Sequence, residues 1–377
     1  MNWQNTTFFE VQTVKHMVKH ILKGECREMK DNKIIVLKGP DRVRKRPAVI
    51  FCSSDAEGAF HAFSTFMDVL VREAILGYSK KISVAIHDDG SITIRNDDRG
   101  MILNEEIINS KPAWQNIFCD FGVGPREPDE GYYDLLAKHQ DTLYGDGTEF
   151  PDYPIASDYA FDLCCVQYVC KYMTVETVRD GVRKIVSFKK GYPVSDLEKA
   201  FTDELPGTTV HLKFDSEVFT ETKIDIELMR RYLQVLAITI RGLRCDFIVD
   251  ELAVTYSYQY PNGISDYIPN ECFHFKEKEA TGRDRYNRPE YKARVRIAVG
   301  FDQYAARSEC FHNYRELGHG GAHLDAVKHK IKRELEWRGL HDDLNEEDSE
   351  KLVDTLMNHL VIVLETNCPI NITRWVN

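Results

Sequence analysis

The segment from residue 58 to residue 101 constrains the fold more than any other part of the 377-residue chain. Residues 58–77 have the pattern of a helix, and Gly77 is typical of a helix end. Residues 81–86 and 91–95 then alternate like strands and are joined by an Asp-Asp-Gly turn, which predicts a β-hairpin. A helix that leads directly into a hairpin favours a helical layer packed on a sheet.

Strands and helices continue to alternate beyond this hairpin. A loop-rich stretch at 102–150 is followed by strands within 164–213, a helix from about 225, two further strands, a long helix at about 323–338 and a last strand at 359–365. Near the N-terminus, apolar residues at helical spacing predict an amphipathic helix over residues 8–23. The whole pattern predicts an α+β protein built of packed layers.

Composition is that of an ordinary globular protein, with 43% hydrophobic and 29% charged residues and enough length for two domains. The net charge of −11 argues against a surface that grips DNA throughout, although the basic strip at 42–46 is a local exception. The ten cysteines have neither metal nor disulfide spacing, so no metal site is expected and Cys164, Cys165 and Cys170 are predicted to be buried thiols. Because the sequence has no signal peptide and no run of about 18 apolar residues, a cytoplasmic protein without membrane contact is expected.

Five segments resemble, in the same order, the ATPase subunits of bacterial type IIA DNA topoisomerases, namely DNA gyrase B and topoisomerase IV. They are VLKGPDRVRKRP at 36–47, REAILG at 72–77, NDDRGM at 96–101, GTTV at 207–210 and GGAHL at 320–324. Each segment is short, and any one of them alone would be weak evidence. Their common order over about residues 33–370 makes the resemblance specific.

The resemblance implies a Bergerat-type (GHKL) ATPase α/β sandwich followed by a transducer domain similar to ribosomal protein S5 domain 2. The corresponding division is an N-terminal helical arm at 1–32, an ATPase-like domain at 33–220 and a transducer-like domain at 221–377. In this family two ATPase domains dimerise on binding ATP, so the resemblance implies a homodimer or a protein partner such as a DNA-cleaving subunit. The helix at 8–23 favours a constitutive contact. DNA-cleaving domains do not follow within these 377 residues, so a complete topoisomerase is not expected.

ATP hydrolysis in this family requires a glutamate base that activates water and an asparagine that binds Mg²⁺. By the resemblance, the glutamate position falls at Thr65, whose neutral hydroxyl cannot act as that base. The asparagine position falls at Val69, which has no ligand atom. Glu73 keeps a carboxylate on the same helix, but it lies two turns farther along and is not expected to substitute. No catalytic residue is therefore predicted.

The adenine side of the family's site is better retained. Asn96 replaces the adenine-binding aspartate and can still accept a hydrogen bond, whereas Asp98 replaces a glycine and adds a charged side chain to the turn. The residues that the resemblance assigns to a vestigial nucleotide site are Asn96, Arg99, Gly100, Arg179 and Thr208.

The phosphate side of the site is degenerate. The family's glycine-rich lid, whose backbone N–H groups approach the phosphates, falls at residues 156–162 (ASDYAFD), where all four glycines are replaced. Asp158 and Asp162 would repel a triphosphate, and Tyr159 and Phe161 are predicted to fill its space and keep the lid closed without nucleotide. The family's transducer lysine, which binds the γ-phosphate, would fall about where these 377 residues end, and Arg374 is the only cation near enough to replace it.

These losses favour a pseudo-ATPase that acts through dimerisation or partner docking in DNA topology or a related process. No cofactor is expected, and any binding of ATP and Mg²⁺ should be weak. The alternative is a divergent ATP-binding subunit of a split type II DNA topoisomerase, which an assay of ATP hydrolysis with and without Mg²⁺ would distinguish. A third hypothesis is a DNA-contacting accessory that uses the strip at 42–46 and the basic residues within 328–333.

Overall fold

The computed structural model describes residues 37, 39–75, 77–103, 106–108, 111–120, 163–268, 273–283, 292–302, 304, 306–318, 320–337 and 346–367. All of these except residue 37 belong to one unit, residues 39–377. The predicted helix at 8–23 and the predicted lid at 156–162 lie outside the described residues. None of the helices within the described part of the chain has the length and apolar character needed to cross a membrane.

Within the described residues the chain forms nine α-helices and sixteen strands, numbered in chain order. The helices are α1 (Pro40–Lys45), α2 (Pro47–Phe51), α3 (Ala56–Ile75), α4 (Ala113–Cys119), α5 (Leu163–Tyr168), α6 (Ile226–Thr239), α7 (Ile264–Tyr267), α8 (Ala322–Trp337) and α9 (Glu346–Met357). The strands of the first half are β1 (Lys81–Ile86), β2 (Ile92–Asn96), β3 (Glu106–Ile108), β4 (Lys111–Pro112), β5 (Cys170–Arg179), β6 (Val182–Lys189), β7 (Tyr192–Pro193), β8 (Glu198–Phe201) and β9 (Gly207–Phe214). Those of the second half are β10 (Arg244–Val249), β11 (Val254–Gln259), β12 (Phe273–Arg283), β13 (Lys292–Phe301), β14 (Arg307–His312), β15 (Arg315–Glu316) and β16 (Leu360–Asn367).

A nine-stranded sheet carries the predicted helix and hairpin. Its order is β11-β10-β1-β2-β9-β5-β6-β7, with β8 also paired to β6. The pairing of β1 with β10 is parallel, and the other pairs are antiparallel. Phe63, Phe66 and Leu70 recur on one face of α3 and are fully buried in the same core as Val210 and Leu212 of β9. The predicted helix and hairpin are therefore confirmed.

A five-stranded sheet forms the second layered part, in the order β12-β13-β16-β14-β15. Strands β14 and β16 pair in parallel, and the others are antiparallel. Helix α8 packs on this sheet through Leu324, Val327 and Ile331, which contact a core that includes Ile362 and Leu364. The apolar residues of the long helix predicted at 323–338 thus face the sheet.

The first sheet continues beyond residue 220, where the sequence places the end of the ATPase-like domain. Strand β10 pairs along its whole length with β1, from Lys81 opposite Arg244 to Ile86 opposite Val249, and β11 follows at the edge. By sheet membership, the boundary between the part built on the nine-stranded sheet and the part built on the five-stranded sheet falls after Gln259. The domain limits from the resemblance stay a prediction.

Three local predictions need correction or completion. The stretch expected to be loop-rich contains α4, whose Trp114 and Phe118 are buried and therefore anchor it to the core. The segment expected to give further strands begins with α5, in an apolar stretch whose pattern fits a strand or a helix, and part of the charged stretch after α8 forms α9. The prediction of buried thiols is confirmed, because Cys164, Cys165 and Cys170 are free and buried.

Candidate functional site

Two buried polar side chains lie opposite each other at the ends of β2 and β9. The alternation of β2 places Asn96 on the same face as buried Ile94, and that of β9 places Thr208 on the same face as Val210. Asn96 and Thr208 are partners in the strand register and are 1% and 0% exposed. Polar groups buried to this extent require hydrogen-bond partners inside the protein.

Asp98 supplies most of these partners. Its Oδ1 accepts hydrogen bonds from the Thr208 hydroxyl (2.9 Å) and from the Gly100 backbone N–H (2.8 Å). Its Oδ2 accepts from Asn96 Nδ2 (3.0 Å). One carboxylate therefore engages three of the groups that the resemblance assigns to a nucleotide.

The other bonds of Asn96 are also made within the protein. Its Oδ1 accepts from the buried Ser79 hydroxyl, which is also 2.9 Å from Asp97 Oδ1, and its Nδ2 lies 3.3 Å from the carbonyl oxygen of Leu70. Both ends of the Asn96 amide are thus occupied.

The Asp98 carboxyl is only 5% exposed, and burial raises its pKa to about 6. The hydrogen bonds from Gly100 and Thr208 oppose this rise in the pKa, and the nearby charge of Glu73 adds to it. Since a pKa of about 6 lies below neutral pH, the group carries a negative charge there. It therefore presents a buried anion at the centre of the cluster.

Glu73 forms a bidentate ion pair with Arg99 from the end of α3. Arg99 Nε is 2.8 Å from one carboxylate oxygen of Glu73, and its Nη2 is 2.6 Å from the other. The guanidinium also lies 3.8 Å from the centre of the Tyr78 ring. Both carboxylate oxygens are engaged, so Glu73 holds the turn after β2 against the helix.

Arg179, at the end of β5, reaches the same turn. Its Nη1 donates to the carbonyl oxygen of Gly100 (3.0 Å), and Gly100 has a φ of +79°. The structure thus brings together Glu73 and all five residues of the predicted vestigial site.

Thr65 and Val69 lie two turns and one turn before Glu73 on α3. The Thr65 hydroxyl donates to the carbonyl oxygen of His61 in the preceding turn (2.8 Å), and Val69 packs partly buried against the core. Both side chains therefore have structural roles within the helical layer. In the described part of the chain, no group of three or more His, Cys, Asp or Glu side chains is arranged to hold a metal ion.

Sequence reasoning missed two members of this cluster and the bonding of a third. Ser79 and Tyr78 lie in the short connection before β1, where the sequence has no signal that distinguishes them from other loop residues. The Asp98 substitution was visible in the resemblance, but its three hydrogen bonds depend on the meeting of β2 and β9.

The basic strip at 42–46, considered for DNA contact, contains one residue with a structural role. Arg44 is half-buried and donates to Asp215 (2.6 Å) and to the carbonyl oxygen of Tyr168 (3.0 Å). On α8, Lys330 pairs with Glu334 four residues later. DNA contact stays a prediction.

The chain is similar to known proteins in both sequence and structure. No family model matches the chain. The chain is 28% identical over 256 residues to DNA gyrase B of Streptococcus pneumoniae, which covers 67% of this chain and 36% of the relative. It is 25% identical over 327 residues to DNA gyrase B of Thermotoga maritima, covering 84% of this chain and 48% of the relative. It therefore spans less than half the length of these curated relatives.

The structural comparison supports the same relationship at the level of the fold. The crystal structure of the 43K ATPase domain of Thermus thermophilus gyrase B, in complex with an aminocoumarin, superposes with a TM-score of 0.62 at 22% sequence identity. The superposition covers 88% of this chain and 81% of that domain. The predicted α+β fold is confirmed. The chain is therefore similar in sequence to DNA gyrase B, and it has the fold of the GHKL ATPase domains of gyrase B and topoisomerase IV.

Proposed function

We propose that this gyrase-B-like module is a pseudo-ATPase that acts by dimerising or by docking a partner protein, in DNA topology or a related DNA-linked process. The observation that carries the proposal is the position of Asp98. Its carboxylate takes the hydrogen bonds of Asn96, Gly100 and Thr208, three of the residues that the resemblance assigns to a nucleotide site. A ligand would have to displace a buried anion that has three hydrogen bonds.

The residues at the hydrolytic positions do not fit Mg²⁺ and ATP. Mg²⁺ prefers oxygen ligands, and Val69 has none. The Thr65 hydroxyl already donates to its own helix, and it has too high a pKa to deprotonate water. Glu73 has both oxygens paired with Arg99. No hydrolytic step therefore follows from these side chains, and the activity of the module is assigned to binding.

The first prediction is that the full chain hydrolyses no ATP in a Mg²⁺-dependent manner. ATP affinity should be weaker than that of an active gyrase B ATPase domain by at least about tenfold, because the metal ligand and the phosphate cradle are replaced. Phosphate release and calorimetric titration, each with and without Mg²⁺, measure the two quantities. Turnover that disappears in Thr65→Ala or Glu73→Ala would contradict the proposal and favour a divergent topoisomerase subunit.

The second prediction tests whether Asp98 is the group that prevents the site from binding adenosine. Asp98→Gly should bind adenosine at least about tenfold more tightly than the native chain, because it frees the Thr208 hydroxyl and the Gly100 N–H. Adenosine is the appropriate probe because it has no phosphates to be repelled. Asp98→Asn is the matched control, since it keeps the volume of the side chain and should gain no affinity.

Circular dichroism of both variants confirms that each is folded before titration, and Asp98→Ser provides a second small side chain. If the native chain already binds adenosine as tightly as Asp98→Gly, then Asp98 is not the blocking group and this part of the proposal is wrong.

A further inference from the structure

Strand β8 is an uncovered edge of the nine-stranded sheet. It pairs only with β6 among the described strands, from Ile185 opposite Glu198 to Val182 opposite Phe201. All four residues of β8 are exposed, so neither face of this strand is covered within the described part of the chain. An edge strand of this kind presents unpaired backbone groups to other polypeptides.

Large apolar side chains are concentrated along the same edge. Tyr192 and Val194, in and just after β7, are 54% and 65% exposed. Phe201 at the end of β8 is 94% exposed, and Leu205 is 87% exposed. Charged residues commonly protect an edge strand, and β8 contains Glu198 and Lys199, but Phe201 at its end remains exposed. Exposed large apolar groups of this kind are typical of interaction sites.

The backbone geometry shows which groups of β8 point outward. The N–H of Thr202 donates to the carbonyl oxygen of Gly181 (3.1 Å), which continues the antiparallel register of β8 with β6. Because bonded and non-bonded pairs alternate along an antiparallel ladder, Lys199 and Phe201 direct their N–H and C=O groups away from β6. An added strand would pair with these two residues.

The charge of this edge selects the kind of partner. Residues 192–206 contain four carboxylates, those of Asp196, Glu198, Asp203 and Glu204, and one ammonium group, that of Lys199. Glu204 lies 3.6 Å from Arg183 of β6, and the other three carboxylates still outnumber the ammonium group. Pairing with the same edge of a second copy would bring like charges together, which disfavours a homodimer here. We propose that β8 accepts an extended segment of a partner protein, rich in apolar and basic residues, as an added strand.

This inference rests on the partner docking of the proposed function and adds the docking surface and the chemistry of the partner. Its test is independent of the nucleotide tests, because no residue of the edge belongs to the Asp98 cluster. The partner segment would bind by strand addition, in which main-chain hydrogen bonds provide affinity and alternate side chains provide specificity. Phe201 would contact the apolar side chains of the segment, and the carboxylates would contact its lysines or arginines.

The test uses a fluorescent peptide of alternating valine and lysine residues, titrated with the full chain and followed by anisotropy. Lys199→Pro removes one outward N–H, which proline tolerates at a sheet edge, and should weaken binding at least about tenfold. Lys199→Ala is the matched control: it removes the same charge but keeps the N–H, so it should bind the peptide as tightly as the native chain or more tightly. Phe201→Ala should weaken binding without altering the backbone.

Three results would overturn the proposal. The first is equal affinity of Lys199→Pro and Lys199→Ala when circular dichroism shows both to be folded. The second is equal affinity of the native chain for a peptide in which glutamate replaces each lysine. The third is sedimentation of a native dimer that Lys199→Pro dissociates and Lys199→Ala does not, which would assign the edge to a second copy.

Discussion

Gly100→Ala is expected to lower the free energy of unfolding by about 4 kcal/mol. A β-carbon at this position would lie 2.2 Å from the carbonyl oxygen of Val178 and 2.8 Å from the Thr177 hydroxyl oxygen. The first contact is with the backbone of β5, which pairs with a strand on either side, so it cannot be relieved by rotating a side chain. The φ of +79° adds a conformational cost of about 1 kcal/mol for an L-residue.

Gly90→Ala separates these two costs. Gly90 has a φ of +78°, and a β-carbon there would meet nothing within 4 Å. This variant should lose only about 1 kcal/mol. Urea denaturation followed by tryptophan fluorescence, to which buried Trp114 contributes, measures both variants. Equal losses would show that the turn after β2 can move away from β5, and that the Asp98 cluster is not held rigidly.

Local signals predicted the hairpin because its determinants are close in sequence. The Asp-Asp-Gly turn and the alternation on either side specify β1 and β2 without reference to the rest of the chain. The order of the remaining layers came from the resemblance, whose segments keep their order along the chain. The short helix α4 was not predicted, and the pattern of α5 did not distinguish a helix from a strand, because packing of residues such as Trp114 and not local propensity stabilises short helices.

The bonding of the candidate site depends on contacts between distant residues. Asp98 and Thr208 are 110 positions apart, and Glu73 and Arg99 are 26 apart. The substitutions at Thr65, Val69 and Asp98 could be read from the sequence, and they indicated a degenerate site. The sequence could not show that Asp98 takes up the hydrogen bonds of its neighbours, since this requires β2 and β9 to lie in register.

The exposed edge at β8 could not be predicted for a similar reason. The pattern of a strand indicates which residues share a face, but it does not show whether another strand or a helix covers them. Leu197 and Phe201 lie four residues apart, yet Leu197 packs against the core and Phe201 is 94% exposed. Only the sheet order distinguishes the two.

The stability of the protein should depend on pH through Asp98. Burial raises the pKa of this carboxyl to about 6 in the folded state, from 3.8 when unfolded. The folded state therefore binds the proton more tightly. The resulting stabilisation is fully present below about pH 3.8 and is lost as the pH rises through about 6. A shift of this size corresponds to about 3 kcal/mol.

Asp98→Asn isolates this contribution because it cannot titrate, while the other ionisable groups remain in both proteins. The free energy of unfolding of Asp98→Asn relative to the native chain should decrease by about 2.4 kcal/mol as the pH falls from about 7.5 to about 4, because at about pH 4 the unfolded carboxyl is still partly ionised. Urea midpoints measured across this range give the difference.

Asp89→Asn is a control of opposite sign for the same experiment. Hydrogen bonds from Ser91 and the neighbouring Lys213 lower the pKa of the exposed Asp89 carboxyl. Its stabilising effect is therefore present at neutral pH and is lost only as the pH falls below about 4. The difference for Asp89→Asn should stay constant across most of the range and rise at its acid end. A difference for Asp98→Asn that is equally constant would show that the Asp98 carboxyl is hydrated, and that the adenine side of the site is open to solvent.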